Sequence, residues 1–279
     1  MPALVDRTKM MARRAAKAAL YPAGHLRRAR SGDLVILLYH RVGAGSCEVD
    51  LTASSFRRQL EMLGERHHVL SLDEALAGEH EGGVVVTFDD GYRDFYDHAL
   101  PLLVRFGIPA TLYLTTGLVD DDRGPDDLAL TWAELREAVA TGLVTIGAHT
   151  HTHPDLSNAP PGTALDEMTI SKSMIEERLG VKCRHFAYPF SVWNEDADRT
   201  ARSMFDSIAA LSWNTNRAGT VDPYRLGRVP ITRSDSDLFF RAKARGALDN
   251  EAWLYRVTGR GPWRDTHVHH GPPIRAEGA

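Results

Sequence analysis

From Gly32 onward the chain alternates short, unbroken apolar runs with amphipathic segments, which restricts it to folds assembled from repeated strand–helix units. The strand candidates are residues 34–39, 69–72, 84–88, 110–114, 143–148, 185–188 and 207–211. Runs such as Leu-Val-Ile-Leu-Leu-Tyr lack the polar alternation of a half-exposed strand, as expected of parallel strands buried on both faces. Between them, Phe56, Leu60 and Leu63 recur at helical spacing behind the cap-forming Ser54 and Ser55. Thr131 and Glu134 form a capping box that opens a helix over residues 132–140, and residues 168–179 read as a helix stopped by Gly180. At 279 residues, 43% of them apolar, the chain is long enough for one α/β barrel of the usual ~200–250 residues. The expectation is one catalytic domain over 32–245, a basic extension at 1–31 and a tail at 246–279 interrupted by glycine and proline.

The net charge of -4 gives no global basic field, so nucleic acid is not an expected partner. Residues 1–30 are the exception, with eight Lys and Arg against Asp6 alone. This arm lacks the apolar stretch of a secretory signal, and no segment is apolar for the length of a bilayer span. A cytoplasmic location is therefore expected. The arm offers at most a weak, peripheral contact with an anionic membrane surface, and a solvated arm is the simpler reading. Cys47 and Cys183 stand too far apart in sequence for a cysteine-rich metal site. His267, His269 and His270 lie in the tail, where no supporting residues are expected to orient them toward a metal. Nothing in the sequence specifies an oligomeric state.

Four strand candidates run into polar residues capable of chemistry: Tyr39-His40, Thr87-Phe88-Asp89-Asp90-Gly91, Gly147-Ala148-His149-Thr150-His151-Thr152-His153 and Phe186-Ala187-Tyr188-Pro189-Phe190. In a parallel barrel all strand C-termini open on one face, where such folds place their active sites. Asp89 and Asp90 are adjacent carboxylates that repel unless a cation relieves them; the simpler alternative is a helix cap beside a solvated charge. A helical turn after the strand puts His149 and His153 on one side, whereas an extended chain aligns His149, His151 and His153. Two histidines with one carboxylate form a catalytic zinc ligand set that leaves positions open for water and substrate, with nickel or cobalt as alternatives.

At these residues the sequence resembles the polysaccharide deacetylase family, the family 4 carbohydrate esterases built on the NodB homology domain. The motifs stand here as Thr87-Phe88-Asp89-Asp90-Gly91, His149-Thr150-His151-Thr152-His153-Pro154 and Phe186-Ala187-Tyr188-Pro189-Phe190-Ser191. Leu38-Tyr39-His40-Arg41-Val42 and Pro109-Ala110-Thr111 are similar to the branch of bacterial poly-N-acetylglucosamine deacetylases. The resemblance implies a distorted (β/α) barrel of about seven strands. It implies a metal-dependent hydrolase that removes the N-acetyl group from an amino sugar in a glycan, glycolipid or sugar intermediate. Asp90, His149 and His153 become the metal ligands, Asp89 the general base, and the Phe190 N–H the donor to the oxyanion. The chain departs from the family pattern in three places: Ala187 where many members carry an arginine that orients the base, Ser191 where glycine is usual, and Leu226-Gly227-Arg228-Val229-Pro230 where a histidine often supplies the general acid. His40 is a candidate for that acid or for substrate contact, and Tyr188 and Trp213 are candidates for substrate contact. A metal hydrolase of another amide or non-peptide C–N bond, or a non-catalytic glycan-binding protein, are the rival readings.

Overall fold

The computed structural model describes residues 32–43, 47–78, 81–120, 129–212 and 215–247, together with Met11 and Ala15. The strands are β1 (Leu34–Tyr39), β2 (Arg41–Val42), β3 (Asp50–Leu51), β4 (Val69–Leu70), β5 (Gly83–Phe88), β6 (Ala110–Leu114), β7 (Val144–Ala148), β8 (His185–Ala187), β9 (Ser207–Leu211) and β10 (Leu226–Pro230). The helices are α1 (Ala53–Arg66), α2 (Leu72–Ala77), α3 (Leu100–Phe106), α4 (Trp132–Ala140), α5 (Thr163–Leu179), α6 (Glu195–Met204) and α7 (Asp237–Ala244). Hydrogen bonding runs β1-β10-β9-β8-β7-β6-β5 and returns to β1, so seven parallel strands close into a barrel. β4 pairs only with the first half of β5, outside the ring, and β2 and β3 form a separate small sheet.

Strand alternation sorts side chains into two layers. Val35, Leu37 and Tyr39 of β1, Val84, Val86 and Phe88 of β5 and Leu112 of β6 pack against Phe56, Leu60 and Leu63 of α1 and other helical residues in the main core. Leu34 and Ile36, Val85, Tyr113, Ala187, Ala209 and Leu226 turn the other way and form a smaller core, which α2 joins through Leu72 and Ala75. This second cluster fills the barrel. By the same alternation Thr87, Asp89, Gly147, His149 and Arg228 face inward.

Six of the seven expected strand segments are staves of the barrel. The segment at 69–72 is not: Val69–Leu70 lies outside the ring, and Leu72 opens α2 behind a capping box of Ser71 and Glu74. The seventh stave is β10, which the apolar-run criterion passes over. Helix α5 begins at Thr163, five residues before its expected start at 168, and ends at Gly180 in the left-handed region at φ 68°. The capping box of Thr131 and Glu134 is present at the start of α4. Among the described residues no helix is long and apolar enough to cross a membrane. The basic arm, apart from Met11 and Ala15, and the tail histidines lie outside the described residues.

Candidate metal centre

Asp90 follows β5 and His149 follows β7, so both stand at the C-terminal end of the barrel. His153 returns to the same place because the chain turns: Thr150 and His153 take φ of 64° and 60°, and the His153 N–H donates to Thr150 Oγ1 at 3.1 Å. This turn decides between the two arrangements the sequence allows. His151 is drawn aside, its Nδ1 3.0 Å from Thr116 Oγ1, and takes no part in the cluster. Among the described residues, Asp90, His149 and His153 form a group able to hold a metal ion, with one ligand atom from each lying within 4.8 Å of the others.

The spacing is informative. Asp90 Oδ1 lies 3.3 Å from His153 Nε2 and 3.6 Å from His149 Nε2, and the two imidazole nitrogens are 3.3 Å apart. Three donors on a tetrahedral ion with bonds of about 2.0–2.1 Å stand about 3.3–3.4 Å from one another, so the arrangement suits such an ion. The tautomer of His149 agrees. Its Nδ1 lies 2.7 Å from the Ala187 carbonyl oxygen, and because a carbonyl only accepts, Nδ1 carries the proton and Nε2 presents its lone pair to the site. Burial, opposed by the charge of Asp89, pushes the His149 pKa down to about 4, which leaves the ring neutral, as a ligand must be. On Asp90 burial acts in the opposite sense, but hydrogen bonding and charge from His153 outweigh it and hold the carboxyl far below its ordinary range.

Asp89 sits beside this group, 4% exposed, with Oδ2 3.8 Å from His149 Nε2. It is gripped by Arg228 of β10, whose terminal nitrogens donate to Oδ1 at 2.6 Å and to Oδ2 at 2.7 Å. Such a bidentate pair fixes the plane of the carboxylate as well as its charge. Arg228 is 1% exposed, and its guanidinium lies 5.1 Å from the centroid of the Tyr113 ring. Burial raises the Asp89 pKa, yet Arg228 and His149 more than offset it, and the carboxyl is held below its ordinary value. Inspecting this segment for a histidine passes over Arg228. The available signal is one cation inside Leu-Gly-Arg-Val-Pro, a charge that needs a buried partner if the segment is a strand. The departure at Ala187 acquires a physical account: the guanidinium comes from the last strand, and Ala187 contributes its carbonyl to His149 instead.

The surrounding backbone is unusual. Of the six non-glycine residues with positive φ among those described, Asp90, Thr150, His153, Phe190 and Ser191 border this site, and only Asp120 does not belong to the three motifs. Such conformations persist where neighbours over-determine them, and they cluster at functional sites. Ser191 takes φ 57°, and its Oγ accepts the Leu211 N–H at 2.7 Å, which ties the turn to β9. The Phe190 ring stands edge-on to His153, with centroids 4.5 Å apart. His40 follows β1 and is half-buried; burial lowers its pKa against the pull of Asp90 and Asp89. Tyr188 is committed to packing: it is 1% exposed, its ring stacks on Trp193 at 4.5 Å, and its hydroxyl donates to Asp198 of α6 at 3.1 Å. Trp213 lies outside the described residues. A second residue that motif reading misses is Glu167 of α5, whose carboxylate accepts the His151 and Thr152 N–H groups at 2.8 and 2.7 Å.

Comparison with known proteins gives a consistent result. The family model described as polysaccharide deacetylase matches residues 77–205. A Bacillus subtilis protein named as a polysaccharide deacetylase, YxkH, is 25% identical over 220 residues, covering 76% of each chain. The poly-beta-1,6-N-acetyl-D-glucosamine N-deacetylase of Staphylococcus aureus is 27% identical over 160 residues, 52% of this chain and 55% of that one, so the match spans about half the length of the staphylococcal enzyme. Among solved structures, IcaB from Ammonifex degensii is 28% identical with a TM-score of 0.66, over 79% of this chain and 99% of that one. The Streptococcus pyogenes deacetylase PplD, in complex with acetate, is 25% identical with a TM-score of 0.68, over 77% and 99%. In motifs, barrel and the clustered Asp90, His149 and His153 alike, the chain is similar to the polysaccharide deacetylase family, whose model matches residues 77–205.

Proposed function

We propose that the chain removes N-acetyl groups from an N-acetylhexosamine polymer, with Asp90, His149 and His153 holding a divalent ion, zinc before nickel or cobalt. The observation that carries this reading is a second carboxylate, Asp89, held separately by Arg228 beside the three donors. A site that only bound metal or glycan would need no such group. The polymer is suggested by the staphylococcal relative, named for poly-beta-1,6-N-acetyl-D-glucosamine, and acetate, the expected product, is bound to PplD.

The ion, when bound, supplies Lewis acidity at the acetamide carbonyl. Asp89, ionised through its pairing with Arg228, accepts a proton from the water whose oxygen bonds to the carbonyl carbon. The Phe190 N–H donates to the oxyanion that forms. The C–N bond then breaks as the amine nitrogen takes the proton that Asp89 removed from the water, with His40, kept neutral by burial and so able to accept and pass on a proton, as the candidate relay, leaving acetate and a free amine. The test is acetate release from β-1,6-linked N-acetylglucosamine oligomers by metal-loaded protein, with a chelator-treated control and elemental analysis of the loaded chain. Metal-dependent release is expected; loaded protein that yields no acetate from these or from chitin oligomers overturns the reading.

A further inference from the structure

The turn that returns His153 to His149 is held from two sides that do different things. On one side its carbonyls are satisfied by the segment after β6: Thr115 Oγ1 donates to the His149 carbonyl at 3.3 Å, the Thr116 N–H to Thr150 at 3.3 Å and the Gly117 N–H to His151 at 2.8 Å. On the other side its donors converge on one side chain. Glu167 Oε2 accepts the His151 N–H at 2.8 Å and the Thr152 N–H at 2.7 Å, while Oε1 accepts the Thr152 hydroxyl at 2.6 Å. Two successive backbone N–H groups aimed at one carboxylate oxygen form a small anion-binding concavity, and bonds to an ionised acceptor are short and strong.

We infer that Glu167 is a positioning residue for the metal: its carboxylate selects the turned conformation of residues 150–153 and so places His153 Nε2 against Asp90 and His149. The inference rests on the reading of those three residues as a metal site. Two of the residues in the turn, Thr150 and His153, have positive φ, which L residues avoid unless their surroundings hold them. The competing conformation is the extended one, which aligns His149, His151 and His153 and disperses the ligands. Thr152 is exposed and His151 half-buried, so water can satisfy both N–H groups once the carboxylate is gone. The barrel loses little by this, whereas the ligand set loses its geometry.

The experiment uses the full chain with Glu167→Ala and Glu167→Gln, measuring Zn2+ and Co2+ dissociation constants by competition with a chelating dye. The visible spectrum of the Co2+-loaded protein reports ligand geometry independently of activity. Glu167→Ala is expected to weaken affinity about 10- to 100-fold and to alter the Co2+ spectrum, with the unfolding midpoint of the metal-free protein close to wild type. Glu167→Gln, which keeps one neutral acceptor oxygen, is expected to lose affinity severalfold. Wild-type affinity and an unchanged spectrum in Glu167→Ala overturn the assignment; if that variant does not fold, wild-type affinity in Glu167→Gln overturns it. Wild-type protein that binds less than one equivalent of either ion overturns the metal site itself. Weakened binding in the variants of a chain that releases no acetate leaves the role of Glu167 standing and removes only the deacetylase reading.

Discussion

At the scale of single residues, the pair of Asp89 and Arg228 joins reactivity to stability. Asp89→Asn keeps the shape of the side chain but removes its capacity to accept a proton, so acetate release is expected to fall by ~10²-fold or more. Metal stoichiometry, measured by elemental analysis, is expected to stay at the wild-type value, because the candidate ligand group of Asp90, His149 and His153 does not include Asp89. Arg228→Met leaves Asp89 buried without its cation. A broken buried pair costs about 3–5 kcal/mol, which urea denaturation at neutral pH measures directly. The sign of the pH effect follows from the depressed Asp89 pKa. In the wild type its contribution to stability is present above the ordinary carboxylate pKa of about 3.9 and is lost as pH falls through the lower folded value. Without Arg228 the carboxyl protonates at higher pH, so the acid limb of kcat/KM moves upward. His149 adds a second window: folded near 4 and unfolded near 6.5, it binds fewer protons in the native state between these values. The metal-free protein is therefore expected to lose stability as pH falls from about 6.5 toward 4, and a urea midpoint at pH 5 equal to that at pH 7 would contradict the assignment.

At the scale of elements, legibility in the sequence follows what each element must bury. β1 and β5 show themselves as continuous apolar runs because one face meets the helices and the other fills the barrel. β10 does not, because its inward residues are Leu226 and Arg228. The cation satisfies its charge on Asp89, 139 residues earlier in the chain, and no local pattern announces such a partner. β4 misleads in the opposite way: Val69 and Leu70 read as a stave but form only two pairs with β5 from outside the ring. The candidate ligands are legible from spacing, whereas the choice between turn and extended strand depends on Thr116 and Glu167, which lie on other elements. Gly147 shows how tightly a stave and the site are linked. A Cβ there would stand 2.7 Å from Cδ1 of Tyr113 and 2.9 Å from the His185 carbonyl oxygen, the latter being backbone that cannot rotate away. Gly147→Ala is thus expected to displace β7 and to cost about 1–3 kcal/mol. Because His149 lies two residues on, metal affinity is expected to fall with the unfolding midpoint; a variant with wild-type affinity would show that the strand end is decoupled from its middle.

At the scale of the molecule, the decisive property is closure. β1 joins β5 on one side and β10 on the other, so the ring is completed by strands from the two ends of the described domain. A fragment spanning residues 77–205 keeps Asp89, Asp90, His149, His153 and Glu167, yet lacks β1, β9 and β10. It is left with four strands, two open edges, an uncovered inner face at Val85 and Tyr113, and no Arg228 to neutralise Asp89. Such a fragment is expected to show no cooperative thermal transition and no tight Zn2+ binding, although every candidate ligand is present. A fragment spanning 32–247 retains the whole ring, the seven helices described between those residues and the Arg228 pair, and, ending two residues past the expected boundary at 245, it tests the expected domain from the other direction. Its expected behaviour is a single transition close to that of the full chain, one equivalent of bound metal and undiminished acetate release from short oligomers, followed by calorimetry, elemental analysis and an acetate assay. Loss of the transition in 32–247 would make one of the outer segments part of the folded unit. Retained folding with lost turnover would instead make an outer segment part of the catalytic surface, so the two fragments together separate what closes the barrel from what completes the site.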